Sequence, residues 1–158
     1  MPAPPLASLG PCSSCSQSLA RRFSVRVLER NQRKENDMGL DQYVLITTET
    51  INQEVDFKIP QNACEIHYWR KHPNLHGWMQ DLYYDKNGTK EFNCTPVVLN
   101  ADDLDRLEAA IKANELPDTC GFFFGTTVGD EKEDDLKFIE KARQAIADGY
   151  TVFYDSWW

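Results

Sequence analysis

Tyr68 to Trp78 reads Y-W-R-K-H-P-N-L-H-G-W and gathers two histidines, two bases and two tryptophans around one proline. Those residue types can build an anion site. Strand-like alternation ends near Arg70, and Pro73 suits the first turn of a helix. His72, Pro73 and Asn74 then stand at a helix N-terminus, where free N–H groups and the helix dipole favour negative charge. Arg70 and Lys71 beside them offer charge-assisted hydrogen bonds to a phosphate or carboxylate. His76, one turn further in, is the candidate acid or base near neutral pH. Trp69 and Trp78 complete the candidate ligand-binding set. A plain scaffold accounts for the same residues. Trp69, Trp78 and Met79 would be core, Arg70 would stack on a ring or pair with an acid, and both histidines would be solvated. The sequence leaves the two readings open.

Other chemistries have less support. His72 and His76 are spaced i, i+4, as in the H-E-x-x-H zinc motif, but Pro73 lies between them and Gly77 follows, so no metal site is expected. The acidic run Gly129–Asp135 lacks the alternate ligands, central glycine and closing glutamate of a calcium loop. Acids there fit the first turn of a helix, complementing its dipole. No G-x-x-x-x-G-K-[ST], G-x-G-x-x-G or G-x-S-x-G occurs. Cys64 and His67 are three apart on a strand and point to opposite faces, which disfavours a thiol–imidazole pair. Cys12 and Cys15 form a lone C-x-x-C without a second ligand pair. No cofactor is expected, and no catalytic residue is assigned beyond His76.

The elements that must position these residues follow from charge and periodicity. The 158 residues fit one domain, and the net charge of −8 disfavours nucleic acid and anionic membrane as partners. Residues 1–37 hold six Lys and Arg against three acids, a charge of +3, while the remainder carries −11. Such a shift marks a boundary. Residues 1–37 are expected to be a disordered basic leader, translated from upstream of a natural start at Met38 or added to it. An organellar transit peptide is the alternative. Residues 38–158 are expected to form a single globular domain. Cys64, Cys94 and Cys120 are expected to be small buried residues of a reducing compartment.

Within the domain, Gln42–Thr48 reads as a central strand. Val55, Phe57 and Ile59 alternate with polar residues as a strand with one wet face, which Pro60 ends. Glu65–Arg70 is a third strand. The helix from Pro73 carries Leu75, Trp78, Met79 and Leu82 on one face. Cys94–Leu99 is a short strand, and Asn100 caps a helix with Leu104, Leu107 and Ile111 inward. Gly121–Gly125 reads as a buried strand. Asp130 and Glu133 form a capping pair for a long helix with a stripe of Leu136, Ile139, Ala142 or Arg143, and Ile146, ended by Gly149. Tyr150–Tyr154 is the last strand. The expected fold is α+β: a single mixed β-sheet with about three helices packed mainly on one face.

M-G-L-D-Q-Y at Met38, the Tyr68–Trp78 stretch, L-P-D-T-C-G-F-F-F-G at Leu116–Gly125 and the closing V-F-Y-D-S-W-W resemble a group of small proteins of tailed bacteriophages and some bacteria. The resemblance covers 38–158 and none of 1–37. The matching positions are Trp69, Arg70, Lys71, His76, Trp78, Gly121, Phe123, Gly125, Trp157 and Trp158. Some members carry the label phosphoglycerate kinase, which this chain is too short to support. The resemblance implies expression in a bacterial host cytoplasm and brings no established activity. The expectation is a small acidic phage accessory protein that binds a host protein or an anionic small molecule. The alternative is an enzyme or sensor for a phosphorylated or carboxylated small molecule, using Arg70, Lys71 and His76.

Overall fold

The computed structural model describes residues 39–122, 124–126, 129 and 131–158. The basic leader, the Cys12–Cys15 pair and the Asp130 cap lie outside the described residues.

Four strands form the sheet: β1 (Asp41–Thr47), β2 (Cys64–Arg70), β3 (Val97–Leu99) and β4 (Thr151–Trp157). Their order is β2-β1-β4-β3, and every pairing is antiparallel. Alternation then fixes the two faces. Gln42, Val44 and Ile46 stand opposite Ser156, Tyr154 and Val152, and Val97 and Leu99 stand opposite Tyr154 and Val152. The register of β1 against β2 slips by one residue between Val44 and Leu45, so Ile66 is an extra residue in β2. That bulge puts His67 and Trp69 on the same face as Val44.

Three helices cover this face: α1 (Pro73–Asp85), α2 (Ala101–Ala113) and α3 (Glu131–Ala147). α1 starts with proline at its first position and buries Leu75, Met79 and Leu82, with Trp78 half-buried. α2 starts at a capping box: Asn100 Oδ1 accepts from the Asp103 N–H while the Asp103 carboxylate accepts from the Asn100 N–H. α3 buries Phe138, Ile139, Ala142 and Ala145, with Leu136 and Ile146 at the margin of the core. Arg143 is half-buried and pairs with Asp105 and Glu108, joining α3 to α2. Gly149 ends the helix at a φ of +87°.

The opposite face is covered by chain without regular structure. Ile51, Phe57 and Ile59 pack on Leu45, Phe153 and Ala63. The expected strand at Val55–Ile59 is therefore a covering loop. Its alternation is real burial, but only Val55 makes a ladder contact, a single bridge to Val97. At the expected buried strand Gly121–Gly125, the described residues Phe122 and Phe124 lie in a turn and not a strand. Phe122 is 96% exposed, and the Phe124 N–H donates to the Gly121 carbonyl. The cysteines also depart from expectation: Cys94 and Cys120 are exposed and Cys64 is half-buried. No helix among the described residues is long and apolar enough to cross a membrane.

Candidate functional site

The Tyr68–Trp78 stretch spans the end of β2, a one-residue turn at Lys71 with a φ of 59°, and the first half of α1. The Lys71 N–H donates to the Leu40 carbonyl at 2.8 Å, which locks the turn. The lysine stem packs over Gly39 and Gly125. The next N–H, of His72, is held by Gln42 Oε1 at 3.0 Å. The strand-to-helix junction is thus tied at two points to the start of β1. Arg70 is exposed beside it.

All three histidines are buried, against the solvated histidines of the scaffold reading. Each has its own partner. His67 Nε2 lies 3.0 Å from Asp134 Oδ2, and the Lys141 ammonium sits 3.4 Å from Nδ1. A lysine donates only, so Nδ1 accepts and Nε2 carries the proton. Burial lowers the pKa of His67 despite the neighbouring Asp134. The His76 Nδ1 lies 3.2 Å from the Tyr154 hydroxyl, with Phe92 and Phe124 against the ring. Burial alone pushes His76 down to about 4. That value keeps it neutral at physiological pH.

His72 is different. Its Nε2 lies 2.9 Å from Asp135 Oδ2, and both residues are at most 2% exposed. A carboxylate accepts only, so His72 Nε2 carries a proton and donates it to Asp135. His72 Nδ1 and Asp135 Oδ1 are buried without a hydrogen-bond partner. Both residues line a pocket of about 170 Å³ with Asn74, Asn114, Leu116, Glu131 and Lys132. Glu131 Oε2 is 4.0 Å from His72 Nδ1. The Lys132 ammonium is engaged, donating to the Lys112 carbonyl at 2.9 Å and to Asn114 Oδ1 at 3.2 Å. Asn74 Oδ1 accepts from the Thr119 N–H.

Of the sequence-derived set, His72 alone lines this pocket. Trp69 is core, set edge-on to Phe138 and tilted against His67. Trp78 packs at the edge of the core, and His76 faces Tyr154. Sequence reasoning missed Asp134, Asp135 and Glu131 as histidine partners. Among the described residues no three His, Cys, Asp or Glu side chains are gathered as a metal site. A wider hollow of about 680 Å³ lies between α2 and α3, where Lys112 pairs with Glu108 and Arg143 with Asp105 and Glu108.

No protein-family model, characterised protein or solved structure matches this chain.

Proposed function

We propose that the chain is a small acidic accessory protein that binds a small molecule in the pocket lined by His72 and Asp135. One observation carries this reading: His72 lines the pocket, its Nε2 is fixed by Asp135, and its Nδ1 is buried without a hydrogen-bond partner. A buried polar atom costs about 1–3 kcal/mol unless a protein group, water or ligand partners it. A ligand that bonds to Nδ1 offsets that cost.

The same geometry favours a second reading, an enzyme. A carboxylate that holds one ring nitrogen orients the imidazole and leaves the other to accept a proton from bound substrate. His72 then takes the acid–base role that the sequence assigned to His76. The resemblance to phage proteins supports an activity in the cytoplasm of an infected bacterium.

The test is a thermal-shift screen of the full chain against nucleotides, sugar phosphates, carboxylates and amines, with His72→Gln alongside. Gln at 72 retains an N–H for Asp135 and removes Nδ1. A ligand at about 100 times its Kd adds roughly 2.7 kcal/mol of stability. The expected result is a shift of that order in the native chain that His72→Gln abolishes. A flat screen across every class would sink the small-molecule reading. Attention would then turn to a protein partner, for which the exposed ring of Phe122 is the first surface to mutate.

A further inference from the structure

Away from the His72 pocket, His67 joins three groups in line. Asp134 and Lys141 lie about two turns apart on α3, so they share one face of the helix. The His67 imidazole of β2 bridges them. Its Nε2 is 3.0 Å from Asp134 Oδ2, and the Lys141 ammonium is 3.4 Å from its Nδ1. Trp69 and Phe138 flank the ring, with centroids at 4.2 and 5.8 Å. The imidazole is thus held between fixed rings, while Lys141 is exposed. Lys137 and Arg143 on the same helix pair with carboxylates. The polar partner of Lys141 among the described residues is the imidazole.

Amine, imidazole and carboxylate stand in the order of nucleophile, base and orienting group in acyl-transfer enzymes, where the first contact is often loose before substrate arrives. Burial lowers the His67 pKa despite Asp134, and the charged groups acting on the ring, Asp134, Asp135 and Lys141, all lie on α3. Nδ1 therefore stays a lone pair at neutral pH, able to take a proton from a reacting amine. We infer that Lys141 is a modification site for activated acyl groups carried as thioesters, with His67 as its base and Asp134 as a positioning residue. The neutral amine attacks the acyl carbon, the C–N bond forms and the C–S bond breaks. The proton leaving nitrogen passes through His67 Nδ1 to the departing sulfur, so amine and thioester become amide and thiol. Acylation removes the Lys141 charge, one of the influences that lower the His67 pKa, so that pKa then rises.

The test incubates the full chain with S-acetyl-N-acetylcysteamine and follows acetylation of each lysine by peptide mass spectrometry. Lys58, exposed and on the covering loop, is the internal reference. Lys141 is expected to react about ten-fold faster than Lys58 at neutral pH, below the roughly 10²–10⁴ of an enzyme's general base. That ratio is expected to fall toward one as the solution is taken to about pH 5, because His67 gains its proton there. His67→Gln is expected to abolish the advantage, and Asp134→Ala to reduce it several-fold. Asp134 is 52% exposed at its side chain, so Asp134→Ala still decides if His67→Gln unfolds. The pH profile needs no variant at all. Equal rates at Lys141 and Lys58 would overturn the assignment. So would a faster Lys141 whose rate ratio is indifferent to pH and to Asp134→Ala, since accessibility alone would then account for it.

Discussion

His72 Nε2 meets Asp135 Oδ2 at 2.9 Å across 63 positions of sequence, and neither residue is more than 2% exposed. The contact ties the β2–α1 junction to the first turns of α3. The preceding acid repeats the move, since Asp134 reaches His67 at 3.0 Å. Adjacent acids on one helix thus each hold a histidine of one short stretch. A buried imidazole N–H that loses its acceptor costs about 1–3 kcal/mol, more when charge is involved. Asp135→Ala is therefore expected to lower unfolding free energy by at least that amount. Asp135→Asn, which retains a carbonyl oxygen, is expected to recover much of it. Urea unfolding of both variants checks the difference. Equal losses would show that the hydrogen bond contributes nothing.

Acid should weaken the fold through His76 and His67. His76 has a pKa of about 4 in the folded chain against an ordinary 6.5. The folded state therefore binds fewer protons than the unfolded one between those values. Its contribution to stability is complete above about pH 6.5, is lost as pH falls, and levels off near pH 4. At about 1.4 kcal/mol per pH unit the loss is on the order of 3 kcal/mol. His67, also lowered by burial, adds in the same direction. His76→Gln is expected to flatten the dependence between pH 6.5 and 4 by about one proton. Urea midpoints of both chains at pH 7 and 4.5 measure this. Parallel loss in the two would mean His76 does not titrate as described.

The locally encoded parts of the fold were legible in the sequence. β1, β2, the proline start of α1, the Asn100 cap, the Gly149 stop and β4 each rest on signals within a few residues. Two failures have a shared cause. Val55–Ile59 and Gly121–Gly125 have strand-like apolar patterns, yet pairing depends on a partner edge elsewhere. Val55 finds one bridge, and Phe122 faces solvent. The site was half legible for the same reason. The histidines announced themselves, but Asp134 and Asp135 reach them from 67 and 63 positions away, and no local period encodes that. The acids serve the α3 dipole as well, so a sufficient local explanation hid the distant one.

Lys86 is expected to be one of the more sensitive surface-to-core positions. Its ammonium donates to the Val98 carbonyl at 2.7 Å and to Asp103 at 2.6 Å, and the two side chains are only 8% and 5% exposed. Asp103 is also half of the capping box of α2. Removing one partner of a buried pair leaves the other charge uncompensated, at about 3–5 kcal/mol. Lys86→Met should cost an amount of that order in urea unfolding, while Arg106→Ala, in the exposed pair with Asp85, should cost less than about 1 kcal/mol. Similar values for the two would refute the distinction. Ligand binding at His72 should be unchanged in Arg106→Ala.

Gly77 gives a prediction whose sign opposes the helix rule. Alanine in a helix interior is ordinarily more stable than glycine by about 0.5–1 kcal/mol. Gly77 lies in the middle of α1, where alanine should help. A Cβ there would stand 1.9 Å from Thr119 Oγ1, 3.0 Å from Thr119 Cβ and 3.2 Å from Pro117 Cγ. Rotating the hydroxyl away does not clear the Thr119 Cβ, and the proline ring blocks the other side. The 117–119 segment must therefore shift against the helix, straining the hydrogen bond from the Thr119 N–H to Asn74. Gly77→Ala is expected to destabilise by about 1–3 kcal/mol, the range for overpacking. The double variant Gly77→Ala with Thr119→Gly should restore most of the loss, because it removes the atoms in the way. Thermal unfolding of the single and double variants measures the coupling. A stabilised single variant would show that this loop is not packed on α1 as described, and the Asn74 side of the His72 pocket would lose its backing.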